Sequence, residues 1–148
     1  MSDQAKSTAD ALAQLLADSY TLYLKTHNFH WNVKGPMFST LHTMFETEYL
    51  ELALAVDEIA ERIRALGFRA PGTYREFGAI TKIEEPEGVP AATAMVETLA
   101  GDQDKIVAAA KKVFAAAEGA SDQASADLAV RRMEIHQKNA WMLRAHLE

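Results

Sequence analysis

The sequence predicts an all-α fold, a four-helix bundle in which one long crossover connects the second helix to the third. Apolar residues recur at three- and four-residue steps through most of the chain, which is typical of helices that bury one face. Prolines and glycines interrupt this pattern in residues 67–90, so that segment cannot be one continuous helix. A helix of about 30 residues is roughly 45 Å long, and a segment of this size can cross that distance. The second and third helices are therefore expected to run parallel.

Length and composition limit the class of protein. A chain of 148 residues is expected to form a single domain, residues 1–148, with a sizeable core. Because cysteine is absent, any metal site must use nitrogen and oxygen ligands. No apolar run approaches the roughly 20 residues of a membrane span, and the N-terminal segment is not hydrophobic, so the cytoplasm is the expected location. The net charge of −6 argues against a general binder of polyanions.

The first predicted helix begins near Ser7–Asp10, where the residues have capping-box character, and leaves residues 1–7 as a short N-terminal tail. Its apolar stripe continues to about Val33. Gly35 and Pro36 then end it, and Pro36 suits the first turn of the next helix.

The second predicted helix runs from Met37 to Gly67, and a face next to its apolar stripe carries imidazole and carboxylate side chains. His42 and Glu46 are four residues apart, as are Asp57 and Glu61, so each pair can present two ligand atoms to one ion. The two pairs cannot meet within one helix, because the rise from His42 to Asp57 is roughly 22 Å.

A two-fold axis would bring the pairs together. If two copies of this helix pack antiparallel, the His42 end of one copy faces the Asp57 and Glu61 end of the other, and two equivalent sites result. His30 lies just before the turn, so it could fold back beside His42. Imidazole and carboxylate ligands suit Fe(II), Mn(II) or Zn(II), and the ligand types do not choose among these metals.

These residues also carry a resemblance. The pattern H-W-N-x-x-G-x-x-F-x-x-L-H begins at His30, and D-x-x-A-E-R follows at Asp57. Together they resemble the signature of the Dps family of mini-ferritins. The resemblance is strongest over residues 27–67, and the helix lengths and the segment Ala140–Arg144 extend it over nearly the whole chain.

The resemblance implies a ferritin-like subunit that assembles into a hollow homododecamer. It implies a ferroxidase, which oxidises Fe(II) with hydrogen peroxide or oxygen between two-fold-related subunits, stores ferric mineral and protects against oxidative damage. Iron is both the substrate and the expected metal. By position, the catalytic ligands are His30 and His42 from one subunit with Asp57 and Glu61 from the other, and Glu46 falls where the family often has another acid near the metal.

The C-terminal half should contain two more helices. One is predicted from about Pro90 to Glu118, and another from Ser121 or Asp122 to about Leu147, with a short helical turn around residues 74–79 in the crossover. In the family that this sequence resembles, acidic residues of this region line three-fold pores. Asp127 is the best positional match to them, whereas a helix start explains Asp122 equally well.

The remaining histidines are assigned other roles. His27 is expected to be a hydrogen-bonded interface residue or to support a ligand, rather than to bind metal itself. His136 and His146 are predicted to lie on the helix surface. The sequence contains no Glu-x-x-His, so a di-iron site inside the bundle is not predicted.

Two other functions stay open. One is a nucleoid-associated, DNA-binding shell with little iron chemistry. Direct DNA binding is nevertheless not expected, because the predicted tail holds only Lys6 against Asp3, and phosphate affinity scales with the number of cationic contacts. The other is a plain helical scaffold in which the histidines and carboxylates are structural.

Overall fold

The structure is a computed structural model that describes residues 2–148, and these residues form a bundle of four long helices and one short one. The elements are α1 (Asp3–Asn32), α2 (Phe38–Ala65), α3 (Tyr74–Ile80), α4 (Ala92–Gly119) and α5 (Gln123–Ala145). No strand occurs in this range. The predicted all-α bundle is confirmed, and α3 is the short helical turn predicted within the crossover.

The side-chain contacts fix the directions of the helices. On the α2/α5 pair, Glu51 contacts Arg132 and Arg62 contacts Asp122, so α5 runs antiparallel to α2. On the α1/α4 pair, Gln4 donates to the carbonyl of Gly119 and Lys25 contacts Asp102, so these helices are also antiparallel. Because α1 and α2 are joined by a tight turn and run in opposite directions, α2 and α4 are parallel, as the crossover predicts.

The beginning of α1 differs from the prediction. The Ser2 hydroxyl accepts a hydrogen bond from the amide of Ala5, and α1 begins at Asp3, where an acidic side chain favours the first turn. The predicted helix start at Ser7–Asp10 is therefore wrong, and residues 3–7 are helix and not tail. Met1 lies outside the described residues.

Glycines with positive φ turn the chain at both ends of α2. Gly35 has φ +104° in the connection from α1, and Gly67 has φ +97° two residues after the last residue of α2. An L-residue rarely adopts these angles, so both glycines have a conformational reason to be there. The predicted end of this helix at Gly67 is confirmed within two residues.

Two polar anchors hold the crossover against α1. The Asp18 carboxylate accepts hydrogen bonds from the Thr81 hydroxyl and the Lys82 amide, both at 2.8 Å. The Lys25 ammonium donates to the carbonyl of Glu84 at 2.7 Å and forms a buried ion pair with Asp102 at 2.8 Å. These bonds fix the position of α3, which packs over α1.

The core is apolar except at its middle. Each long helix contributes aliphatic and aromatic side chains that are almost completely buried, among them Leu15, Phe29, Phe45, Ile59, Leu99, Ile106 and Leu128. Buried polar side chains interrupt this core on all four long helices, including Lys25, Glu48, Asp102, Gln103, Arg132 and His136. Within residues 2–148, no helix is both long and apolar enough to cross a membrane.

Candidate metal centre

His30 and His42 form a stacked pair where α1 ends and α2 begins. Their ring centroids are 3.8 Å apart and the ring planes differ by 15°. Nδ1 of each ring lies 2.7 Å from the backbone carbonyl oxygen of the other residue. The prediction that His30 folds back beside His42 agrees with this geometry, and the turn at Gly35 makes it possible.

The reciprocal bonds decide which nitrogen of each ring can bind a metal. A carbonyl oxygen can only accept, so Nδ1 of both rings must carry a proton and donate it. In the neutral imidazole the lone pair then lies on Nε2. Among residues 2–148, no hydrogen bond occupies either Nε2. Such a hydrogen bond through the other ring nitrogen typically orients metal-binding histidines.

His27 lies beside this pair within a group of aromatic rings. Its ring centroid is 3.9 Å from that of Trp31 and 4.1 Å from that of Tyr49, and it is 6.2 Å from His30. Burial, followed by electrostatic repulsion between the His27 and His30 rings when both are protonated, lowers the pKa of His27. Packing against the Trp31 and Tyr49 rings, and not a hydrogen bond within the described residues, holds this side chain. The predicted hydrogen-bonded role would need a partner from outside the chain.

The candidate carboxylates lie further along α2. Asp57 and Glu61 are exposed on adjacent turns, whereas Glu46 is half-buried one turn after His42. Among residues 2–148, no group of three or more His, Asp or Glu side chains is close enough to hold a metal ion. One chain thus brings the two imidazoles together and leaves Asp57 roughly 22 Å and Glu61 roughly 28 Å away from His42 along the helix.

The stretch of α2 between these two half-sites is apolar and exposed. Leu50 and Leu54 have 54% and 76% of their surface accessible. Next to them, Asp57 borders an open cavity of about 730 Å³, whose walls include Tyr20, Tyr74 and Phe77. This face of α2 therefore combines a hydrophobic centre with ligand-type side chains at both ends.

The acids around the start of α5 have different surroundings. Asp122 caps α5 through the amide of Ser125 and contacts Arg62 at 3.0 Å. Burial alone would raise the pKa of Asp122, but the hydrogen bonds from Ser125 and Arg62 lower it. Asp127 is exposed and contacts Arg131 at 3.1 Å, and Arg131 also binds Glu58 at 2.6 Å. The helix-start explanation of Asp122 is supported, and the pore role of Asp127 stays a prediction.

Sequence reasoning misjudged His136 and missed Glu48. The prediction that His136 lies on the surface is wrong, because the side chain is completely buried. Glu48 is only 5% exposed, and burial raises its pKa to about 8. Helical spacing could have identified it, because position 48 is in step with the apolar residues Leu41, Phe45 and Leu52. His146 is partly exposed and donates to the carbonyl of Met142, as expected near a helix end.

The comparisons with known proteins agree with the fold. Residues 9–148 match the ferritin-like domain family. The chain is 40% identical to DNA protection during starvation protein 2 of Bacillus anthracis over an alignment of 142 residues. This alignment covers 96% of this chain and 97% of that protein. A crystal structure of a Dps protein from Bacillus brevis superposes with a TM-score of 0.97 at 34% identity, covering 100% and 99% of the two chains.

A second solved structure adds a chemical description. It is the DPS protein of Vibrio cholerae, described as a member of a broad superfamily of ferritin-like diiron-carboxylate proteins. The TM-score is 0.94 at 28% identity, and the alignment covers 98% of this chain and 91% of that chain. The sequence motif, the helix order and these similarities agree, and the chain belongs to the Dps family of ferritin-like proteins.

Proposed function

We propose that this protein oxidises Fe(II) with hydrogen peroxide and stores the ferric product inside a hollow homododecamer. Membership of the family implies iron storage and protection in general. The observation that supports the specific chemistry is the pair of reciprocal hydrogen bonds between His30 and His42, because both bonds use Nδ1 and leave the Nε2 atoms of two adjacent rings available to a metal. The cytoplasmic location predicted from the sequence is part of the same proposal.

The ligand set is completed by a second copy of the chain. Antiparallel packing of two α2 helices about a two-fold axis puts residue 42 of one copy opposite residues 57–61 of the other, and the axis then passes near residue 50. Leu50 and Leu54 are exposed at this position, and burying them is favourable in the way that an obligate interface requires. The carboxylates of Asp57 and Glu61 then reach the two imidazoles.

The proposed site performs electron transfer from iron to peroxide. Two Fe(II) give up one electron each and one hydrogen peroxide accepts both, so that 2 Fe²⁺ + H₂O₂ + 2 H₂O gives 2 FeO(OH) + 4 H⁺. Neutral imidazoles and ionised carboxylates stabilise the higher charge of the ferric product. Glu46, one turn from His42, would provide an additional oxygen ligand. Using up peroxide and Fe(II) together limits formation of hydroxyl radicals.

A DNA-binding shell with little iron chemistry has weaker support. The relatives are named for DNA protection, but the lysine nearest the N-terminus of this chain, Lys6, lies within α1 and contacts Asp10 at 2.8 Å. A gel-shift assay at low salt and at about 150 mM salt would test this alternative, because phosphate contacts weaken as salt rises.

The decisive experiment mixes two inactive variants. His42→Ala and Asp57→Ala should each abolish fast peroxide-dependent oxidation of anaerobically added Fe(II), while the exposed control Glu97→Gln stays active. In co-assembled equal mixtures, half of the dimers are mixed, and each mixed dimer holds one intact site of two. About a quarter of the wild-type active sites should therefore return. No recovery in verified mixed shells would refute the two-chain site, and full activity of either single variant would refute its ligand assignment.

A further inference from the structure

Arg132 occupies an unusual position in the centre of the bundle. Its residue surface is only 2% exposed, and its guanidinium donates to both oxygens of the Glu51 carboxylate at 2.5 and 2.9 Å. The same guanidinium lies 2.8 Å from Nε2 of His136. The charged group is thus held by one carboxylate from α2 and one imidazole from α5.

The hydrogen bonds fix the state of His136. Its Nδ1 lies 2.6 Å from Oε1 of Gln103, which can only accept, so Nδ1 carries the proton. The lone pair is therefore on Nε2 and faces Arg132. Burial, followed by the positive charge of Arg132, lowers the pKa of His136 well below its usual range. The imidazole is neutral, as a metal ligand must be.

Glu51 and His136 are therefore side chains of the metal-ligand type, and they surround a guanidinium group instead of a metal ion. A carboxylate that offers both oxygens and a neutral imidazole that offers its lone pair are typical metal ligands, and Gln103 fixes the tautomer as supporting residues do in such sites.

The Arg132 cluster lies in the bundle core, where a di-iron centre would lie, but its residues do not fit a di-iron group. Ferritin-like di-iron proteins hold metal in the bundle core between facing helices, with two Glu-x-x-His pairs. The sequence contains no such pair, and among residues 2–148 the middle of the bundle holds His136 together with the buried cations Lys25 and Arg132. We propose that the Arg132 guanidinium fills a divalent-metal-type site formed by Glu51 and His136, and thereby excludes Fe(II) from the interior of the subunit.

Removal of the guanidinium should open the site. Cobalt(II) is the probe, in a shell that carries His42→Ala and Asp57→Ala, which remove a ligand from each half of the interfacial site, and the same shell with Arg132 unchanged provides the baseline. Arg132→Met in this background should bind about one Co²⁺ per chain, with visible absorbance typical of nitrogen and oxygen ligation. Arg132→Lys keeps a positive charge and should bind none. Adding His136→Ala to Arg132→Met should remove the absorbance, and adding Gln103→Leu should weaken binding by roughly ten- to a hundredfold.

The exclusion of Fe(II) rests on the proposed function, but this binding assay does not involve peroxide or iron oxidation. Failure of interfacial oxidation would therefore leave the cobalt result unchanged. If Arg132→Met is unfolded without metal, recovery of its helical circular dichroism on addition of Co²⁺ supports the site, and Arg132→Gln provides a second neutral variant. The proposal is overturned if neither variant binds Co²⁺ or refolds with it, or if binding persists without His136.

Discussion

The buried carboxyl group of Glu48 should make the protein less stable as pH rises from about 5 to 8. Burial raises its pKa from 4.5 to about 8 in the folded chain. Between these values the folded state holds a proton that the unfolded state has released, so the free energy of unfolding falls with pH. The contribution of this group is fully favourable at low pH and is lost progressively above the unfolded pKa.

The size of the effect follows from the shift. Each pH unit between the two pKa values costs about 1.4 kcal/mol, so the interval from pH 4.5 to pH 7 amounts to about 3 kcal/mol. Glu48→Gln removes the titration while keeping the shape of the side chain. Relative to the wild type, its free energy of unfolding should therefore rise by about 3 kcal/mol over this range.

Urea denaturation of wild type and Glu48→Gln at fixed protein concentration, at half-unit steps from pH 5 to 8, measures this difference. The exposed position Glu97 provides the matched control, and Glu97→Gln should keep the wild-type dependence on pH. If wild type and Glu48→Gln show parallel curves, Glu48 titrates normally in the folded protein, and the reasoning from its burial is wrong.

Two further substitutions test the anchors of the fold. Lys25→Met leaves the Asp102 carboxylate buried without the Lys25 ammonium and should lower the free energy of unfolding by about 3–5 kcal/mol. The double variant Lys25→Met/Asp102→Leu should recover much of this loss. A double variant no more stable than Lys25→Met would contradict the reasoning. Gly67→Ala forces a methyl-bearing residue to φ +97° after α2 and should cost about 1 kcal/mol or more, whereas Gly72→Ala, at a glycine without a positive φ, should cost less in the same thermal melts.

The helices of this protein could be predicted because they depend on local spacing. The i,i+4 pairs on α2 and the turn at Gly35 follow from the residue order alone, whereas the ligand roles of those pairs and the two-fold arrangement stay predictions. The reciprocal bonds of His30 and His42 could not be predicted, because they depend on the exact backbone path between the two helices. That path sets which carbonyl oxygen each Nδ1 reaches.

The polar middle of the core was missed for a different reason. Charged and polar residues are usually expected to face solvent, and that expectation would place Arg132 and His136 on the surface when each is considered alone. Only the packing of four helices shows that α5 meets Gln103 from one side and Glu51 from the other, so that the donors and acceptors satisfy one another. The start of α1 was missed because Ser2 caps it five residues before the stronger pattern at Ser7.

The His30/His42 pair and His136 differ in what lies next to their Nε2 atoms, and this difference fits the roles that we propose for them. At both, an oxygen acceptor fixes Nδ1 and directs the lone pair to Nε2. In the bundle core, a carboxylate and an imidazole lone pair without a partner would destabilise the fold. The Arg132 guanidinium is the permanent cation that pairs with them. At the helix ends, the Nε2 atoms of His30 and His42 have no such partner within the described chain. In the proposed function the interfacial site accepts Fe(II) and releases ferric product, so it has to exchange ions with solvent. A surface completed by a second chain would allow that exchange, whereas a filled core would not.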